Sequence, residues 1–162
     1  RYFKMHPAPS ELSNDGIDTE YSNYPQDIYT VTVDGVKYAF RTCYDFYFYE
    51  DIIEIARQNP DIIIGCSYQR TDTHSALEIL NKFLCYNSNA YLVRASVSLG
   101  EDSLVGGSSM VVAPDGEVLL NLKNEIGLGI IESDPSKKYY KSAGFGGKQT
   151  SHPEYVDVGR RK

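Results

Sequence analysis

The sequence predicts a layered α/β sandwich in which helices cover β-sheet, and three observations carry that expectation. Residues 27–42, "DIYTVTVDGVKYAFRT", alternate apolar and polar side chains on both sides of Asp34-Gly35, the pattern of a β-hairpin. Two stretches of helical spacing follow, each leading into a short apolar strand. The resulting order of hairpin, helix, strand, helix, strand, hairpin, strand mixes β-hairpins with βα units.

The first helix is expected from about Glu50, with Ile52, Ile55 and Ala56 on one side, and must stop before Pro60 because proline disfavours helix in the residue preceding it. "DIIIGC", at 61–66, then reads as a wholly apolar strand buried on both faces. Ser75-Ala-Leu-Glu78 has the form of a capping box, and Leu77, Leu80 and Leu84 continue at helical spacing to about Tyr86. "AYLVRASVSL" is a further strand. "GGSSMVVAPDGEVLLNL" is a hairpin turned at Pro114-Asp115-Gly116, and "GLGIIESD" is a last strand ending at Asp134.

With 162 residues, 41% hydrophobic and 23% charged, the chain has enough apolar side chains for one ordinary core. No apolar run approaches the roughly 20 residues needed to cross a bilayer, and the first residues lack the apolar stretch of a signal peptide, so a cytoplasmic protein without membrane contact is expected. The net charge of −6 is uneven: residues 137–162 hold seven Lys/Arg against two Asp/Glu. This divides the chain into a body, 1–136, and a Gly-rich basic arm, 137–162. The arm has no repeated Arg/aromatic pattern, and nucleic acid is not an expected partner. "GFGGKQ" at 144–149 lacks the Ser or Thr of a phosphate loop, and His6, His74 and His152 are too scattered for a metal motif.

Cys43, Cys66 and Cys85 are an odd number of cysteines without the spacing of a disulfide framework or zinc ribbon, and reduced thiols are expected. Cys66 and Cys85 are expected to fill the core. Cys43 differs, because it stands where the alternating strand gives way to a helix start. A thiol at such a bend faces outward, with free backbone N–H groups and the helix dipole beside it.

"TCYDFYFYE", at 42–50, resembles the nucleophile segment of the nitrilase, or carbon–nitrogen hydrolase, superfamily. "YFKMHPAP", at 2–9, is similar to that family's strand ending in Lys-x-His-x-x-Pro, and "GGSSMVVAPDGEVL", at 106–119, to its Gly-Gly-Ser-Met hairpin. The resemblance implies an αββα sandwich without a cofactor, acting on a small-molecule amide, nitrile or carbamoyl compound. It assigns the nucleophile to Cys43 and the oxyanion-stabilising lysine to Lys4, with the backbone N–H of Tyr44 as a second donor. Glu11 resembles a second glutamate of the family, although its spacing from Lys4 is one residue short, and Glu50 the glutamate at the helix start. His74 falls where the resemblance puts a substrate-side loop, and Ser67 and Tyr68, at the end of the buried strand, are further pocket candidates. The resemblance also implies a homo-oligomer, with the C-terminal arm at an interface.

Two departures stand out. Tyr49 replaces the family's proline before Glu50. The family's general-base glutamate belongs to a segment before the lysine strand, and "RYFK" at 1–4 reads as the middle of a strand, so the sequence is expected to be the C-terminal portion of a longer enzyme. The alternatives are a catalytically silent binding or assembly module of the same fold, and a thiol-redox protein using Cys43. The last ranks lowest because no second cysteine lies near Cys43 in sequence.

Overall fold

The structure is a computed structural model and describes residues 2–14, 28–142 and 149–151. Its centre is a six-stranded sheet with the strands in sequence order: β1 (Thr30–Val33), β2 (Val36–Thr42), β3 (Ile62–Ser67), β4 (Tyr91–Ser96), β5 (Met110–Val112) and β6 (Val118–Asn121). β2, β3 and β4 run parallel and are flanked by antiparallel hairpins, β1–β2 and β5–β6. The parallel pairs need crossovers, which α2 (Tyr49–Gln58) and α3 (His74–Ser88) supply. The β1–β2 turn forms at Asp34 and Gly35 with φ of 50° and 81°, the left-handed pair that a two-residue hairpin requires.

Strand register sorts the side chains into rows. Ala39, Ile63, Leu92 and Val112 lie side by side across β2 to β5, and all four are fully buried. They meet Ile52 and Ile55 of α2 and Leu84 of α3 in one core, so these helical repeats face inward as their spacing requires. The opposite row, Phe40, Ile64, Val93 and Val111, carries no helix among the described residues, and Val93 is 42% exposed. β3 is therefore covered on one face, and the expected burial of both faces does not hold for this part of the chain. Cys66 is exposed on that open side, contrary to the core position expected for it, whereas Cys85 lies in the core.

Local signals were replaced in three places. The cap of α3 is Thr73, whose Oγ1 accepts the Ala76 N–H at 3.2 Å, so the Ser75/Glu78 box is not the start signal. Residues 2–8 form no strand; after them comes the short helix α1 (Pro9–Asn14). Nor do residues 127–134, where Leu128 and Ile130 are exposed. Alternation alone cannot make a strand without an edge to pair with. Beyond this body, Asn89 at the left-handed C-cap of α3 exchanges two hydrogen bonds with the Tyr139 backbone. β7 (Tyr140–Ser142) then pairs with β8 (Gln149–Ser151). Residues 144–148 of the glycine cluster and the arm from 152 onward lie outside the described residues.

Candidate active site

Strand β2 ends at Thr42, and the chain turns at Cys43, whose φ of 49° is in the left-handed region. For a residue with a Cβ this costs roughly 1–2 kcal/mol. A short 3₁₀ helix, Cys43–Tyr47, follows, and α2 begins only at Tyr49. The nucleophile candidate is thus at a strand-to-helix bend as its sequence context requires. The element directly after it is a single 3₁₀ segment, so the dipole of a full α-helix does not start at the thiol. The N–H of Tyr44, second in that segment, precedes the first intrahelical bonds.

The Cys-Tyr-Asp run places Asp45 completely out of solvent. Its carboxylate accepts the N–H groups of Met5 at 3.0 Å and His6 at 2.7 Å, and the Tyr2 hydroxyl at 2.5 Å. Burial, the hydrogen bond to Asp45 and its negative charge all raise the Tyr2 pKa well above the usual phenol range. A second acid, Asp51 of α2, forms an ion pair with the buried Arg41 at 2.9 Å and stands 2.8 Å from His6 Nε2. His6 also stacks on Phe48, with ring centroids 3.5 Å apart. Irregular residues 2–8, which carry Lys4, are therefore clamped onto the nucleophile turn by carboxylates rather than by sheet pairing. Sequence reasoning missed Asp45; its signal was one acid set in an otherwise aromatic run.

Lys4 forms an ion pair with Glu11, and both are mostly buried. Glu11 also accepts the Ala8 N–H. Burial alone would raise its pKa, but the hydrogen bonds from Lys4 and Ala8 and the Lys4 charge outweigh that and hold the carboxyl below its usual range. A cavity of about 590 Å³ is lined by Glu11, Thr42, Cys43, Cys66, Ser67 and Tyr68, among others. A neighbouring one of about 600 Å³ shares Cys43 and Tyr68 and adds Tyr44, Tyr47 and Asp72. Cys43, Glu11, Ser67 and Tyr68 thus come together around one space, with Lys4 joined to it through Glu11. Glu50 is exposed in the first turn of α2 and His74 bonds to Asn124 at 2.9 Å; neither lines these cavities.

Behind the thiol is Arg94, another residue the sequence did not single out. It is buried over the Phe46 ring and donates to Gln69 Oε1 at 2.9 Å and to the carbonyls of Gly107 and Ser108 at 3.0 and 2.5 Å. Burial lowers its pKa to about 10, and the negative potential of Cys43, Tyr47 and Asp72 acts in the opposite direction. The Gly-Gly-Ser motif has a structural reason here: Gly106, Gly107 and Ser108 all have positive φ, and a Cβ at Gly107 would collide with Asn124 and the Lys123 carbonyl. Among the described residues no three His, Cys, Asp or Glu side chains gather as a metal site would require.

The carbon–nitrogen hydrolase sequence profile matches residues 1–139. A solved amidase from Nesterenkonia sp. is 26% identical, with a TM-score of 0.56 over 64% of this chain and 40% of that one. A glutamate-to-glutamine variant of the Nesterenkonia sp. AN1 amidase, also 26% identical, has a TM-score of 0.56 over 64% and 40% and carries the acetamide moiety of fluoroacetamide covalently on its active-site cysteine. A cysteine-to-serine variant of that amidase aligns over 78% of this chain and 47% of its own, with a TM-score of 0.64 and 23% identity, which supports the fold. The chain spans less than half the length of these structures. No curated protein matches it.

Proposed function

The chain belongs to the carbon–nitrogen hydrolase family, and from that premise we propose that it forms the nucleophile-bearing part of an enzyme that cleaves non-peptide C–N bonds in small amides. The Cys43 thiolate adds to the carbonyl carbon. The Lys4 ammonium and the Tyr44 N–H stabilise the oxyanion, the amine departs, and water hydrolyses the Cys43 thioester. One observation carries this reading: Asp45 binds the lysine-bearing segment to the turn that holds Cys43.

Among the described residues, the carboxylates lining the cavities are Glu11, engaged by Lys4, and Asp72, which accepts the Tyr47 hydroxyl. Neither is free to take the thiol proton, so the reading calls for a further carboxylate as general base, which the family resemblance puts in a segment before the lysine segment. The same observation keeps the silent binding module as the second reading. Ammonia release by the full-length protein on a panel of short aliphatic amides separates the two: turnover lost in Cys43→Ala supports the hydrolase, and none in wild type favours the module.

The expected partner is a second copy of the chain. Tyr49 of α2 and Phe83 of α3 have ring centroids 6.1 Å apart, both are exposed, and so is Ile79, one turn before Phe83 on α3. Such a patch fits a helix-to-helix dimer, with the C-terminal arm reaching across. A Phe83→Glu variant then sediments as a smaller species than wild type. No helix among the described residues is long and apolar enough to cross a membrane, and three unpaired cysteines fit a reducing, cytoplasmic setting.

A further inference from the structure

Near neighbours in space need not be neighbours in sequence, and the thiol that Cys43 lacks along the chain is provided by β3. The parallel register sets Thr42 opposite Cys66. Adjacent strands run about 4.8 Å apart, and Cys43 is the next residue along. Its positive φ takes it out of the regular strand pleat. Cys66 Sγ lies 3.5 Å from Thr42 Oγ1, on the side of β3 that faces β2. Both cysteines line the same cavity of about 590 Å³. Cys85, by contrast, is fully buried, and burial pushes its thiol pKa up.

We propose that Cys66 is the resolving partner of Cys43, the two forming a single site of reversible peroxide modification. In the first step the Cys43 thiolate attacks hydrogen peroxide; one oxygen is transferred, giving Cys43 sulfenic acid, and the peroxide is reduced to hydroxide. In the second, the Cys66 thiol attacks the sulfenic sulfur, an S–S bond forms, and the oxygen leaves as water with the thiol proton. A dithiol reductant restores both cysteines and is itself oxidised to a disulfide. The pair diverts Cys43 from the sulfinic state, which dithiols do not reverse. A cavity that admits a small polar substrate to Cys43 also admits peroxide. The inference takes Cys43 as the reactive thiol, as the hydrolase reading does, but needs no turnover.

The test is peroxide titration of the full-length protein followed by intact mass and tryptic mapping. Cleavage after Arg41, Arg57 and Arg70 leaves Cys43 in peptide 42–57 and Cys66 in peptide 58–70. The expected product has lost two hydrogens, links those two peptides, and reverts with dithiothreitol. Cys66→Ser instead accumulates a dimedone-trappable oxygen at Cys43 and then further oxygens, while Cys85→Ser still forms the link. Wild type that adds oxygen at Cys43 as readily as Cys66→Ser, with no linked peptide, overturns the proposal. Iodoacetamide labelling of the same samples keeps the two readings apart. Fast Cys43 alkylation without a link sinks the pair and leaves the hydrolase standing; fast Cys43 alkylation with a link, in a protein that releases no ammonia from amides, supports the pair and counts against hydrolysis.

Discussion

The buried carboxylate of Asp45 accepts the backbone N–H of His6 at 2.7 Å, and through that bond the segment bearing Lys4 is held to the turn bearing Cys43. Replacing Asp45 with Ala leaves two N–H groups and the Tyr2 hydroxyl without their acceptor. Loss of charge-assisted bonds in a dry site costs about 3 kcal/mol. Urea unfolding checks the stability loss, and any wild-type acceleration of Cys43 alkylation should disappear with it. A variant as stable as wild type would mean that residues 2–8 are anchored by other contacts.

Cys43 sits at φ 49° with a Cβ, so relief of that strain is measurable. Cys43→Gly should be more stable than Cys43→Ala by about 1 kcal/mol, because glycine accepts the left-handed region freely. If Ala proves the more stable, the bend is not strained at this residue.

Glu11 gives the site a pH dependence of defined sign. Its folded pKa is depressed below the usual 4.5, chiefly by Lys4 and the Ala8 N–H against the opposing effect of burial. The folded state therefore binds the Glu11 proton less readily than the unfolded chain does. The stabilisation is complete well above pH 4.5 and is lost as pH falls from there through the folded pKa. Glu11→Gln is expected to cost about 1–2 kcal/mol at pH 7, and its gap from wild type should narrow under acid. Parallel denaturation curves at pH 7 and pH 4 make the comparison, and a gap that widens under acid would be the wrong sign.

Gly65 lies under Phe46: a Cβ there would be 2.6 Å from Phe46 Cζ. Phe46 is 2% exposed and has little room to move. Gly65→Ala should therefore cost about 1–3 kcal/mol, and pairing it with Phe46→Leu should return part of that. Thermal melts of the single and double variants decide it: additive losses would place the strain elsewhere.

Much of this was legible because the signals were local and periodic. Asp34-Gly35 marks its hairpin, Ile52, Ile55 and Ala56 mark the inner face of α2, and Cys43 stands where one period gives way to another. What failed depended on partners that sequence spacing does not reveal. Residues 127–134 read as a strand, yet no edge among the described residues pairs with them. Cys66 looked like core because free cysteines are usually buried and Ile62, Ile63 and Ile64 precede it, but register turns it to the face without helices. Asp45, Arg94 and the Lys4–Glu11 pair were invisible as a set, since long-range contacts and a non-strand lysine segment bring them to Cys43.

The central claim is that Cys43 forms a thioester with a small acyl group. The most direct test is intact-mass analysis of the full-length protein after brief incubation with a short aliphatic amide and acid quench. The account predicts one acyl adduct that maps to peptide 42–57, is absent in Cys43→Ala and forms more slowly in Lys4→Ala. An unmodified Cys43 under conditions where Cys66 or Cys85 becomes labelled would contradict it.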